Sequence, residues 1–284
     1  MKIQTLAPFG LVALLTVGFG TQASAGIFSS NFDTLVVAER LDGSHTPSAP
    51  ASYAALDGGF IEAGDPIAGD TPPAPAAVAQ SLKTALAGLG YHLVAEAPSV
   101  VLTYHWGVLR IDHRQIRVPY GIKTNLEARI ELVSTTHLGA EVENHILLNE
   151  RGPGMNPDAA APRMLVGPSE TVKEDARQPR IFVVVSAYDY QGLLHRDTKL
   201  LWRAKLSTRE QSGRMDEVIP AILAAGAPYF GQDITDPKVI EATPRAVPPS
   251  AAPAAATAES LRLDKQFIDN LLKAEHVSFS GYTN

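Results

Sequence analysis

The run Ile181–Tyr190, IFVVVSAYDY, constrains the fold most. It carries apolar side chains at odd and even positions alike, which a strand tolerates only when both of its faces are covered. The following stretch, KLLWRAKLSTRE, alternates instead: Leu200, Trp202, Ala204 and Leu206 point one way, Leu201, Arg203, Lys205 and Ser207 the other. With Gly192 in the link Gln191–Asp197, the two segments read as a hairpin whose first strand is central in a sheet.

The same periodicities place the other elements. FDTLVVAER (Phe32–Arg40) reads as a first strand, and Ala76–Leu89 carries Val78, Leu82, Leu86 and Leu89 at helical spacing before Gly88 and Gly90 end it. VVLTYHW sets Leu102, Tyr104 and Trp106 on a core face and Val101, Thr103 and His105 on the opposite one, and Leu126–Ser134 reads as a further alternating strand. Met215, Val218, Ile219, Ile222 and Leu223 form a second helical stripe, with Pro220 early in the helix or at a kink. The order β, α, β, β, β, β, α predicts an α+β fold: a mixed or mostly antiparallel sheet with two helices packed on one face, plus a C-terminal amphipathic helix. No repeat at solenoid or propeller period is present.

The first 25 residues combine Lys2, an apolar core from about Leu6 to Phe19, and Ala23-Ser24-Ala25, which is the pattern of a secretory signal cleaved near Ala25. The apolar run is shorter than the roughly 20 residues a membrane helix needs. A periplasmic or secreted chain without a transmembrane segment is therefore expected. There is no cysteine, which excludes a disulfide framework, thiolate catalysis, a cysteine zinc site and lipid attachment through an N-terminal cysteine. The expected organisation is a folded domain over 26–236 with an irregular insertion near 151–179, a Pro/Ala-rich linker over 237–258, an amphipathic helix over 259–276 and a tail over 277–284. Phe267 and Leu271 on that helix are candidate partner-binding residues. If the helix is detachable, removing Ala258–Asn284 abolishes partner capture and leaves thermal unfolding nearly unchanged.

Chemistry is sparse. The 24 basic and 30 acidic residues give a formal charge of −6 without a basic stripe, which argues against nucleic acid or anionic lipid as the main partner. VVLTYHWGVLRIDHR places His105, Asp112 and His113 close in sequence as weak catalytic or metal candidates. A straight strand would hold the two histidines about 26 Å apart, so convergence requires a turn. The plainer reading puts His105 on a hydrated sheet face. Asp57, Glu62 and Asp65 lie in an acid- and glycine-rich stretch, Leu56–Asp70, that suggests calcium weakly, because its spacing does not match a calcium loop; a solvated surface loop is the plainer reading. Arg110, Arg114 and Tyr120 form a small basic and aromatic group that could hold an acidic or sugar-like ligand. The signatures of serine-elbow hydrolases, zinc peptidases and P-loop enzymes are missing, and no cofactor is implied.

A strand near the N-terminus of the mature chain, a helix ending in GYHLV, the strand SVVLTYHW, and LLWRAKL followed by a helix ending near PYF together resemble the domain-of-unknown-function family 4136 of bacterial envelope proteins, over roughly Phe28–Phe230. The resemblance implies a periplasmic α+β module and no catalytic residues. Many members look like lipoproteins anchored through a cysteine, which this chain lacks. The leading expectation is a non-catalytic binding or envelope-assembly module whose partner is an envelope protein or polymer. The alternatives are a periplasmic hydrolase or metal-dependent enzyme using His105, Asp112 and His113, and a small-ligand or sugar binder using Tyr120, Arg114 and the acidic loop.

Overall fold

The computed structural model describes residues 30–40, 51–65, 71–110, 116–118, 121–123, 126–134, 170–245 and 255–280. The signal segment, Asp112, His113, Arg114, Tyr120 and most of the 151–179 insertion lie outside them. The elements are β1 (Phe32–Arg40), β2 (Ser52–Ala63), α1 (Pro75–Ala87), β3 (His92–Leu93), β4 (Val100–Leu109), β5 (Ile116–Val118), β6 (Gly121–Lys123), α2 (Leu126–Val133), α3 (Glu170–Arg177), β7 (Arg180–Asp189), α4 (Tyr190–Leu194), β8 (Leu200–Arg209), α5 (Met215–Gly226), β9 (Lys238–Ala242) and α6 (Lys265–Ser280). Seven strands form one sheet in the order β3-β2-β4-β7-β8-β1-β9, and β5 pairs with β6 separately. Strand β2 runs parallel to β3 and β4 while the other neighbours are antiparallel, so the sheet is mixed and the fold is α+β as the sequence predicts.

Strand β7 takes the central position, and both of its faces are covered, as its unbroken apolar run requires. On one face Val183 and Val185 pack with Leu102, Tyr104 and Trp106 of β4 and with Trp202 and Leu206 of β8, under Leu82 and Leu86 of α1 and Ile219 and Ile222 of α5. Trp202 also stacks on Phe230 with ring centroids 5.6 Å apart. These are the two expected helices on one face, and each large side chain buried there contributes about 1.5–3 kcal/mol.

The opposite face departs from expectation. It is not hydrated: Leu132 and Val133 of α2 and Ala176 of α3 pack on Phe182 and Val184, while Leu261, Leu263 and Ile268 pack on Val101 and Tyr188. Helices therefore lie on both faces of the sheet. Leu126–Val133 is a helix rather than a strand, because Arg129, Leu132 and Val133 also fall on one face at helical spacing, among residues that favour helix.

Three other segments correct the sequence reading. The supposed acidic surface loop is strand β2 as far as Ala63; its glycines are absorbed by a bulge between Asp57 and Gly59, where Gly59 has φ +89° and donates its amide to Asp57 Oδ1 at 2.8 Å. Within the expected linker, Lys238–Ala242 forms edge strand β9 on β1, so the body extends beyond residue 236. The link after β7 contains α4, capped by Asp189, whose carboxylate accepts from the Gly192 amide at 2.6 Å. The segment before α6 bonds to the sheet too: the Ala256 amide donates to the Ala55 carbonyl at 2.9 Å. Among the described residues, no helix is long and apolar enough to cross a membrane.

Candidate functional site: a polar row closed by the C-terminal helix

Strand register aligns Glu39, Arg203, Ser186 and Thr103 in a row across β1, β8, β7 and β4. Two residues along, Val37, Lys205, Val184 and His105 form the next row on the same face. Helix α6 lies over the β4 end of these rows, beside α2 over the β8 end, and brings down Glu275. Its Oε2 sits 3.3 Å from His105 Nε2, and its Oε1 accepts from the Tyr188 hydroxyl at 2.8 Å and from Arg203 Nη2 at 3.4 Å. Arg203 Nε donates to Ser186 Oγ at 3.0 Å, and its Nη1 lies 4.0 Å from Glu39 Oε1.

The carboxylate is the hub of this arrangement. Burial by itself would raise the Glu275 carboxyl, but the hydrogen bond and charge of His105, joined by the charge of Arg203, outweigh it and hold the group down at about 2. Burial beside this carboxylate pushes the Tyr188 hydroxyl above its ordinary value, keeping it a proton donor. The His276 ring meets that of His105 edge-on at 6.3 Å, and burial followed by the charge of His105 lowers its tendency to protonate.

The sequence provides for His105 in a specific way. A Cβ at Gly58 would lie 2.2 Å from His105 Cε1, so the ring occupies the space that only glycine leaves in the β2 bulge. Gly58→Ala is expected to displace the imidazole and cost about 1–3 kcal/mol, as overpacking does, whereas an exposed Gly→Ala change is nearly neutral. Urea unfolding of the variant checks this; an unchanged midpoint would contradict the placement. Beside the row, Lys205 is fully buried and donates to the Ser134 carbonyl at 3.1 Å, at the C-terminal end of α2, where a cation complements the helix dipole.

The other sequence candidates do not converge on this site. Arg110, 3 % exposed, is held by Glu62 at 2.7 Å and Glu210 at 2.6 Å, so it ties elements together instead of facing a ligand. Asp57 serves the β2 bulge, Glu62 serves Arg110, and Asp65 lies past the end of β2. Among the described residues, no three His, Cys, Asp or Glu side chains form a metal-binding group. Phe267 and Leu271 pack against the apolar cluster of their own domain. Glu275, Tyr188, Arg203 and Lys205 were missed by sequence reasoning. Glu275 carried a signal, since it continues the stripe of buried Ile268 and half-buried Leu272 at helical spacing.

Chemically, the cluster is a sealed charge network. His105 has no exposed surface and Glu275 is 5 % exposed, so a substrate cannot reach the pair while α6 is seated. Its groups hold a helix to a sheet.

No family model matches the chain, and no curated protein matches it. A solved structure, a dodecamer of a point variant of PelC from Paraburkholderia phytofirmans, aligns at 10 % identity over 69 % of this chain and 98 % of that one, with a TM-score of 0.30.

Proposed function

We propose that the protein is a non-catalytic binding or assembly module of the bacterial envelope, exported by its N-terminal signal. The observation that carries this reading is the placement of His105: the one described member of the candidate catalytic trio is fully buried and committed to Glu275, a structural partner from the chain's own C-terminal helix. The resemblance to the envelope family 4136 and the signal-like N-terminus support the location. Because α6 is engaged with its own sheet, the partner surface belongs to the folded body and not to a free tail.

In-cell crosslinking of the full chain, followed by envelope fractionation, tests the proposal. The expected result is the same envelope protein or polymer captured reproducibly by wild type and by the helix variant Phe267→Ser. A monomer free in the periplasmic fraction with hydrolytic activity, or one found in the cytoplasm, would overturn it.

A further inference from the structure

At the far end of the second face, a pocket of about 240 Å³ opens between β1, the start of β7, the end of β8, β9 and α3. Its polar walls are Asp33, Asp175, Arg180, Arg209 and Ser212, and Leu35 and Val239 line it as well. Strand pairing sets Arg180 directly opposite Arg209, a like-charge juxtaposition that is unfavourable unless negative charge stands nearby. Arg180 is a fixed member: its Nε donates to Ser207 Oγ at 2.9 Å, its Nη2 to the Ser207 carbonyl at 3.2 Å, and its Nη1 lies 3.5 Å from Asp175 Oδ1. Burial, against the pull of Asp175 and with the repulsion of Arg209, lowers Arg180 to about 10, so it keeps its charge at neutral pH. Arg209, exposed at the end of β8, is the adjustable member.

The lining thus presents two cations, two carboxylates and an apolar wall within a volume below that of drug-sized sites. Asp175 is engaged by Arg180 at 3.5 Å, so the exposed Asp33 and Arg209 are the charges a ligand would meet; a simple anion would be opposed by the first and a simple cation by the second. A molecule carrying both charges on neighbouring atoms matches the two.

We propose that this pocket binds a small zwitterion of the α-amino acid type with an apolar side chain. Its carboxylate is received by Arg209 beside Arg180, its ammonium by Asp33 beside Asp175, and its side chain lies against Leu35 and Val239. The site is independent of the envelope reading, because it is tested on purified protein without any partner.

Titration calorimetry of the full chain with L-leucine, 4-methylpentanoate and isoamylamine tests it. Leucine is expected to bind saturably, and each analogue that lacks one charge at least about tenfold more weakly, the loss of one charge-assisted contact. Arg209→Gln should weaken leucine by a similar factor while its thermal unfolding stays that of wild type, since the side chain is exposed. Absence of leucine binding, equal binding of either analogue, or unchanged affinity in Arg209→Gln would overturn the proposal.

Discussion

Deletion of residues 255–284 is expected to lower the thermal midpoint by at least about 10 °C, or to leave a chain that no longer folds cooperatively. The deleted segment buries Leu261, Leu263 and Ile268 against Val101 and Tyr188. At about 1.5–3 kcal/mol for each large side chain, these three alone approach the total stability of a typical domain, about 5–15 kcal/mol. For a body of this size, about 1 kcal/mol moves the midpoint by roughly 2–4 °C. The deletion also removes the Glu275 carboxylate that covers the buried His105 and pairs with Arg203. This outcome is opposite to that expected of a detachable tail. Differential scanning calorimetry of the truncated chain decides it, and a midpoint within about 2 °C of wild type would return the helix to the status of an appendage.

Glu275→Ala should cost about 3–5 kcal/mol at neutral pH, because it removes the buried carboxylate on which His105, Tyr188 and Arg203 converge. The more informative variant is Glu275→Gln, which keeps shape and an acceptor but cannot titrate. In the folded chain the carboxyl is held at about 2, against an ordinary 4.5. A lowered carboxyl pKa means that the unfolded chain takes up the proton first. The stabilisation is therefore complete above pH 4.5 and is lost as pH falls towards about 2. His276 adds to this from a higher pH: its protonation is disfavoured in the fold, so its contribution is complete above its ordinary 6.5 and shrinks as pH falls below that value. Urea unfolding across this range should show a steep acid limb in wild type and a flatter one in Glu275→Gln below pH 4.5. Identical limbs would show that the carboxylate carries no such linkage.

Much of the first face was legible because periodicity alone decides it: Leu102, Tyr104 and Trp106 alternate, and the stripes of α1 and α5 recur at helical spacing. The second face was not, since its cover comes from parts of the sequence whose local signals point elsewhere. Leu126–Val133 satisfies a strand pattern and a helix pattern together, and packing selected the helix. Gly58 and Gly59 argue for a loop in sequence, yet in β2 they make the bulge that seats the His105 ring. The polar row was hidden for a different reason. Glu39, Ser186, Arg203 and Thr103 look like ordinary outward-facing strand residues until the strand order β4-β7-β8-β1 sets them side by side, and that order is a property of topology rather than of any local window. Glu275 lies 170 residues from His105, so no spacing rule could have joined them.

Helix α6 belongs to the folding unit of the sheet, held there by a buried carboxylate and an apolar stripe. Native-state hydrogen exchange tests it residue by residue, because amides that open only with the whole domain share its unfolding free energy. The amides of Ile268–Glu275 are expected to exchange with an opening free energy within about 1 kcal/mol of those in β7. Opening of the helix at a free energy lower by about 3 kcal/mol or more, with β7 still protected, would contradict it.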